Sequence, residues 1–450
     1  MNPRTRIRTS SALWASPFVV GLTLFYAVHV FGIDYPASRS VLPYAPEVVS
    51  FALEPFYGLT YAVVSALSAW EAGRLQQDGV WLLAPVRTRF RIAAGSLWPV
   101  LALGWSMPAL AAGLALAQEG VAPTLGALQL PAMAALLAVA HCVIGFSAGH
   151  LMPRLIAAPL LAVGVFYLVA FAGAGQFSDT DANWSRHLSG AYSGFLAFGE
   201  LATWSSLAAQ ALPTVGLAAG IALLWCGRRT AAARGVVVAA ACLVTAVASG
   251  AAYRTASAWG VSAPVERADL SAHCAGEQPR VCVPRAADHT LDKARETVND
   301  VVTELRSAGA TVRMPHKVTD SLLEGRYQTS GDEWHLPLTQ AERNGTLRYR
   351  ILRAAGSLPC GNPRRADASA LRLWQAHQVG EDKRYLKDLR GDVIDPGGDR
   401  DLARIQKAED TRVAQVKARV DAVLQWPGVQ QRIWYRTTLA HACPTRGGTQ

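Results

Sequence analysis

Seven long apolar runs lie in the first 253 positions of this 450-residue chain, and none lies beyond them. A helix of about 20 residues crosses a hydrocarbon layer about 30 Å thick, and each run reaches that length. The runs are Ser11–Phe31, Val49–Trp70, Ile92–Ala117, Leu130–Ala148, Leu155–Ala174, Leu207–Cys226 and Gly235–Tyr253. Ser11–Phe31 is too long for the core of a signal peptide and lacks a following small-residue cleavage site, so it counts as the first span. The remaining residues are ordinary charged globular sequence. The expected fold is therefore an all-α polytopic membrane protein of about seven transmembrane helices with a mostly helical α+β soluble domain. The expected boundaries are 1–226 for six spans, 227–255 for a seventh, and 263–450 for the soluble domain.

Charge patterning orients the spans. Residues 1–253 carry 13 arginines and nine carboxylates, and residues 254–450 carry 30 basic and 24 acidic groups. The net charge of +10 is thus spread over both parts and forms no single basic patch, which argues against nucleic-acid binding. If the N-terminus is cytoplasmic, eleven arginines fall on the inner side of the first seven spans, in residues 4–8, 74–91, 154 and 228–234. Only Arg39 and Arg186 fall in the outer loops. That asymmetry is the positive-inside pattern. Seven crossings then send residues 254–450 outside the cytoplasm. The bias to Arg over Lys, 37 against six, matches a GC-rich bacterial genome, so a bacterial plasma membrane is expected.

Cysteine usage follows the same division. Cys142, Cys226 and Cys242 lie in or at the ends of spans, where cysteine serves as a small hydrophobe. Cys274, Cys282, Cys360 and Cys443 all fall in the soluble part. Four cysteines in an oxidising compartment allow two disulfides in three pairings. The short Cys274–Cys282 loop selects that pair and leaves Cys360 for Cys443.

Within the soluble part, Leu291, Ala294, Val298, Val301, Val302 and Leu305 recur on one helical face. Helices are also expected over Leu402–Val423, Ala366–Gln378 and Val429–Ala442, and strands over Thr311–Met314 and Leu347–Leu352. In the membrane part, Tyr192–Trp204 is apolar but too short to cross. It reads either as an interfacial or re-entrant helical piece or as an exposed amphipathic loop helix.

The connection from Ala69 to Arg91 is the most informative local stretch. A charged turn with Glu71, Arg74 and Asp78 follows the second span. A short amphipathic piece, Val80–Leu83, is ended by Pro85, because proline removes a backbone donor and cannot continue a helix. Arg87, Arg89 and Arg91 lead into the third span.

This stretch resembles the corresponding region of ABC-2 type exporter permeases. The likeness is carried by Glu71, Arg74, Gly79, Leu82, Leu83, Pro85, Val86 and Arg87, with Asp78 and Arg91 in the same segment. The resemblance covers about residues 11–226 and is sharp only over 71–91. It implies a permease with six spans, a re-entrant element before the sixth, and a homodimer or heterodimer with a second permease. It also implies that the 71–91 segment is a coupling helix docked on a separate ATP-hydrolysing subunit. The chain departs from that pattern in its seventh span, its large outer domain and its few basic residues before Ser11.

Enzymatic signatures are missing from the sequence. There is no P-loop, no H-E-x-x-H and no G-x-S-x-G, so nucleotide hydrolysis would reside in a partner and no cofactor is expected. The carboxylates at 392, 395, 399 and 401 lack the ordered spacing of a calcium loop and read as a solvated turn. His141, mid-span, reads as a neutral side chain bonded to a neighbouring helix, and Glu54 as a solvated group near an interface. The alternative to transport is a non-transporting membrane receptor or anchor whose outer domain binds a ligand or partner.

Overall fold

The computed structural model describes residues 10–31, 35, 40–80, 88–174, 183–192, 194–226, 230–260, 262–312, 314–323, 333–360, 363–391 and 399–444. Two compact units emerge, Met1–Ala268 and Asp269–Gln450.

Among the described residues, the first unit holds seven helices that are each long and apolar enough to cross a membrane. They are α1 (Ser11–Tyr26, continued by a π-turn to Phe31), α2 (Ala45–Gln77), α3 (Arg89–Glu119), α4 (Gln129–Leu151), α5 (Arg154–Ala174), α6 (Trp204–Leu224) and α7 (Ala231–Ala256). All seven expected spans are present as helices. Large apolar side chains stand exposed along them, including Trp14, Phe18, Leu155, Leu168, Leu243 and Val247. On a water-soluble protein such a surface would aggregate, whereas hydrocarbon is its matched solvent. The chain is a multi-pass helical membrane protein.

Helix α2 is the axis of this unit. Its most apolar window is 72% buried, against 17% for α5 and for α7. At about 1.5 Å per residue its 33 residues extend about 50 Å, longer than a hydrocarbon layer of about 30 Å. Close packing against α4 depends on two glycines. A Cβ on Gly145 would lie 2.2 Å from the Ser65 carbonyl oxygen, and one on Gly149 would lie 2.2 Å from that of Ala69. Small residues let helix backbones approach where apolar lipid gives no hydrophobic drive to associate. Gly216 and Gly220 of α6 play the same part against Ala248 and Ala241 of α7.

The connection between α5 and α6 differs from expectation. Among the described residues of Tyr192–Trp204, 192 and 194–203 are not helical. The stretch is irregular up to the short strand β1 (Glu200–Ala202), and α6 starts at Trp204. Gly194 and Gly199 hold φ values of 106° and 79°, which break any helix there. β1 pairs antiparallel with β2 (Val265–Arg267), and Thr203 caps α6 by accepting from the Ser206 amide.

The second unit has a four-stranded sheet, ordered β3 (Ala272–Ala275), β4 (Arg280–Pro284), β5 (Lys317–Asp320), β6 (Glu333–Leu336). β3 and β4 are antiparallel, and the other two pairs are parallel. Helix α8 (Leu291–Ser307) crosses from β4 to β5 and buries the six residues whose spacing marked its face. Helices α9 (Leu338–Arg343), α10 (Leu347–Ala355), α11 (Arg365–Gln378), α12 (Asp382–Gly391), α13 (Asp399–Leu424) and α14 (Gly428–Ala442) complete the unit. Its core joins Val281, Val301, Leu305, Ile351, Trp374 and Tyr435.

Two strand expectations fail here. Leu347–Leu352 is the start of α10, because Leu347, Ile351 and Ala355 recur every four residues on a buried face. The described part of Thr311–Met314 is not a strand, and the Val312 carbonyl accepts from the Arg306 guanidinium instead of a ladder partner. Both proposed disulfides are present. Cys274–Cys282 joins register partners of β3 and β4, and Cys360–Cys443 closes 83 residues of chain. Asp320, at the end of β5, is fully buried and accepts from the Thr339 amide at 2.8 Å, the Thr339 hydroxyl and the Leu322 amide at 3.0 Å.

Candidate functional site

Cross-helix contacts sort the helix ends of the first unit. The start of α1 meets the end of α2 through Ser11 and Glu71. The Arg154 guanidinium at the start of α5 lies 4.8 Å from the Trp70 ring. Phe90 at the start of α3 and Ser147 near the end of α4 both touch Trp225, which caps α6. One end of the unit therefore gathers the starts of α1, α3 and α5 with the ends of α2, α4 and α6. Arg74, Arg89, Arg91 and Arg154 all lie there, so the basic residues separated in sequence share one face.

Glu71 is the centre of this end. Its side chain is fully buried. One oxygen accepts the Ser11 amide and the Ser11 hydroxyl, each at 2.7 Å, and the other lies 2.7 Å from the Arg74 guanidinium. The first turn of a helix leaves amides without intrahelical partners, and here a carboxylate from another helix takes one of them. Gly73 lets α5 seat against the same turn, since a Cβ there would fall 2.6 Å from the Arg154 Cβ. The end of α2 is thus tied to both α1 and α5. Arg74 is partly exposed, while Gln76, Gln77, Asp78 and Arg91 face outward. Of the expected docking residues, Leu82, Leu83, Pro85 and Arg87 lie outside the described residues, as do 392–398 of the acidic loop. Among the described residues no three His, Cys, Asp or Glu side chains converge on a metal-sized site.

The opposite end holds a feature that sequence inspection missed. Residues 183–192 and 194–199 pack along the first half of α2. Tyr61 donates to the Gly190 carbonyl at 3.1 Å, and the Leu196 amide donates to the Ser50 hydroxyl at 3.1 Å. His187 is buried and contacts the Gly260 carbonyl through Nε2 at 2.9 Å, which requires the proton on that nitrogen. Burial, aided by Arg186, holds the His187 pKa below the usual imidazole value, and the Gly260 bond opposes that shift. Under this cover lies a cleft of about 590 Å³ between α1, α2 and α5. Its lining is mainly aromatic and aliphatic, with Glu54 and Arg186 as the charged groups. No local periodicity announces it, because its walls come from five separate stretches of chain.

Helical membrane protein is the class that fold and surface define. The chain matches no protein-family model, no curated protein and no solved structure.

Proposed function

We propose that this chain is the permease-type membrane subunit of an ABC exporter, powered by a separate ATPase that docks on the 71–91 segment. The observation that carries the reading is the mechanical tie at Glu71. A coupling element has to pass displacement into several spanning helices at once. The end of α2 meets this need: it holds α1 through Ser11, holds α5 through Gly73 and Arg154, and leads through residues 78–88 into α3. The clustering of Arg74, Arg89, Arg91 and Arg154 at this end supports a cytoplasmic placement by the positive-inside rule. The two disulfides support an extracytoplasmic placement for the second unit. In this reading Glu71 works from within, organising the turn, and Arg74, Asp78 and Arg91 present the charged docking face. The functional permease is a dimer, with one homologous or identical partner.

Affinity purification of the full chain from its native membranes tests the proposal. A nucleotide-hydrolysing subunit should co-purify, and Arg74→Glu combined with Asp78→Lys should cut its recovery at least tenfold while the chain stays monodisperse. Unchanged recovery would remove the docking role. A second reading, a non-transporting receptor or anchor, draws on the independent core and disulfides of the second unit. It expects no such subunit.

A further inference from the structure

We infer that the cleft between α1, α2 and α5 is a binding site for lipophilic organic cations, with Glu54 as the counter-ion. Glu54 sits one helical turn beyond Ser50, which binds the covering loop, and it lines the cleft together with residues of that loop. It lines the cleft and makes no hydrogen bond or ion pair with the described residues. Glu54 is exposed, whereas three buried carboxylates of the first unit are engaged within the protein. Glu71 holds Ser11 and Arg74, Glu47 accepts the Ser40 amide at 2.6 Å, and Glu200 accepts the Ala197 amide at 2.8 Å. The other charged group of the lining, Arg186, has interactions of its own with the rest of the protein.

A carboxylate at the edge of an apolar, lipid-flanked space is expensive, and such residues mark ligand or ion sites more often than ornament. The walls define the ligand further. Tyr26, Phe31, Phe51, Phe56, Phe166 and Phe195 line the cleft. Phe51 forms ring pairs with Phe31 at 6.0 Å and with Phe195 at 5.1 Å, and Tyr26 packs on Phe56 at 5.6 Å. Aromatic faces carry negative quadrupole charge and attract cations at close range, the more so when water is excluded. A carboxylate framed by such rings favours a positive charge on an apolar body and disfavours an anion of the same shape. The volume lies within the range of about 300–1,000 Å³ typical of small-molecule sites. The inference needs no ATPase, so it stands or falls apart from the exporter reading.

The test uses the full chain, purified into discs of phosphatidylcholine, with tetraphenylphosphonium and tetraphenylborate as probes of matched shape and opposite charge. Phosphonium should bind saturably above its partition into empty discs, and borate should not. Glu54→Gln should weaken phosphonium binding at least tenfold, and Glu54→Asp should retain most of it. Equal saturable binding of both probes would show an apolar or zwitterionic lipid pocket and overturn the inference. So would no saturable phosphonium binding, or full binding by Glu54→Gln. Because the two probes are compared on the unaltered chain, the answer does not depend on any variant folding.

Discussion

Individual side chains show how far local sequence carries. The acidic and basic pair at 71 and 74 was visible one turn apart, yet the buried state of Glu71 depends on Ser11, sixty residues earlier. His187 gave no signal at all, and its role follows from Gly260 and Trp259, which approach from the far side of two helices. Its pH behaviour follows from the lowered pKa. The folded state prefers the neutral ring, so the stabilisation is complete above the unfolded value near 6.5 and is lost as pH falls through the lower folded value. The thermal midpoint of the parent should therefore drop more between pH 7.5 and pH 5 than that of His187→Gln. Parallel curves for the two proteins would show that His187 does not titrate against the fold.

At the scale of elements, period decided success. The seven spans and the buried face of α8 were legible because burial in lipid or in a helical core writes itself as run length or as 3.6-residue spacing. Leu347–Leu352 misled because apolar residues at 347, 349 and 351 alternate as in a strand, while 347, 351 and 355 also fit a helix. The β3–β6 strands are only four or five residues long and carried no clear alternation. Helix packing gives a sharper expectation. Gly145→Ala and Gly149→Ala each place a methyl group against the α2 backbone, where nothing flexible can yield. Each should lower the thermal midpoint of the detergent-solubilised protein by several degrees, in line with a cost of about 1–3 kcal/mol for overpacking. Gly113→Ala, whose Cβ would meet nothing within 4 Å, should leave it unchanged or raise it slightly.

For the whole molecule, each unit holds together by a different device. The first relies on interhelical backbone contact inside a lipid solvent, and the second on a water-excluded core plus two covalent ties. A crosslink stabilises chiefly by limiting the unfolded chain, and more so for a longer closed loop. Cys360→Ser with Cys443→Ser, which opens 83 residues, should therefore destabilise the second unit by about 3–5 kcal/mol. Cys274→Ser with Cys282→Ser, which opens only eight, should cost less. Denaturant midpoints of the full chain in discs, followed by limited proteolysis of residues 269–450, rank the two. An inverted ranking would mean that the β3–β4 tie acts through the folded sheet rather than through chain entropy.

Sequence alone determined the number of apolar helices and the division into a membrane unit and a polar unit, and it favoured the pairing of four cysteines that the structure shows. Those features depend on quantities that add up along the chain: run length, charge count and spacing. Tertiary structure alone decided that Glu71 faces inward, that the loop before α6 is an irregular cover with a strand, and that Glu54, with no partner among the described residues, lines an aromatic cleft. These depend on which distant segments meet, and a hydrogen bond or a cavity wall between residues far apart leaves no periodic mark in the order of amino acids.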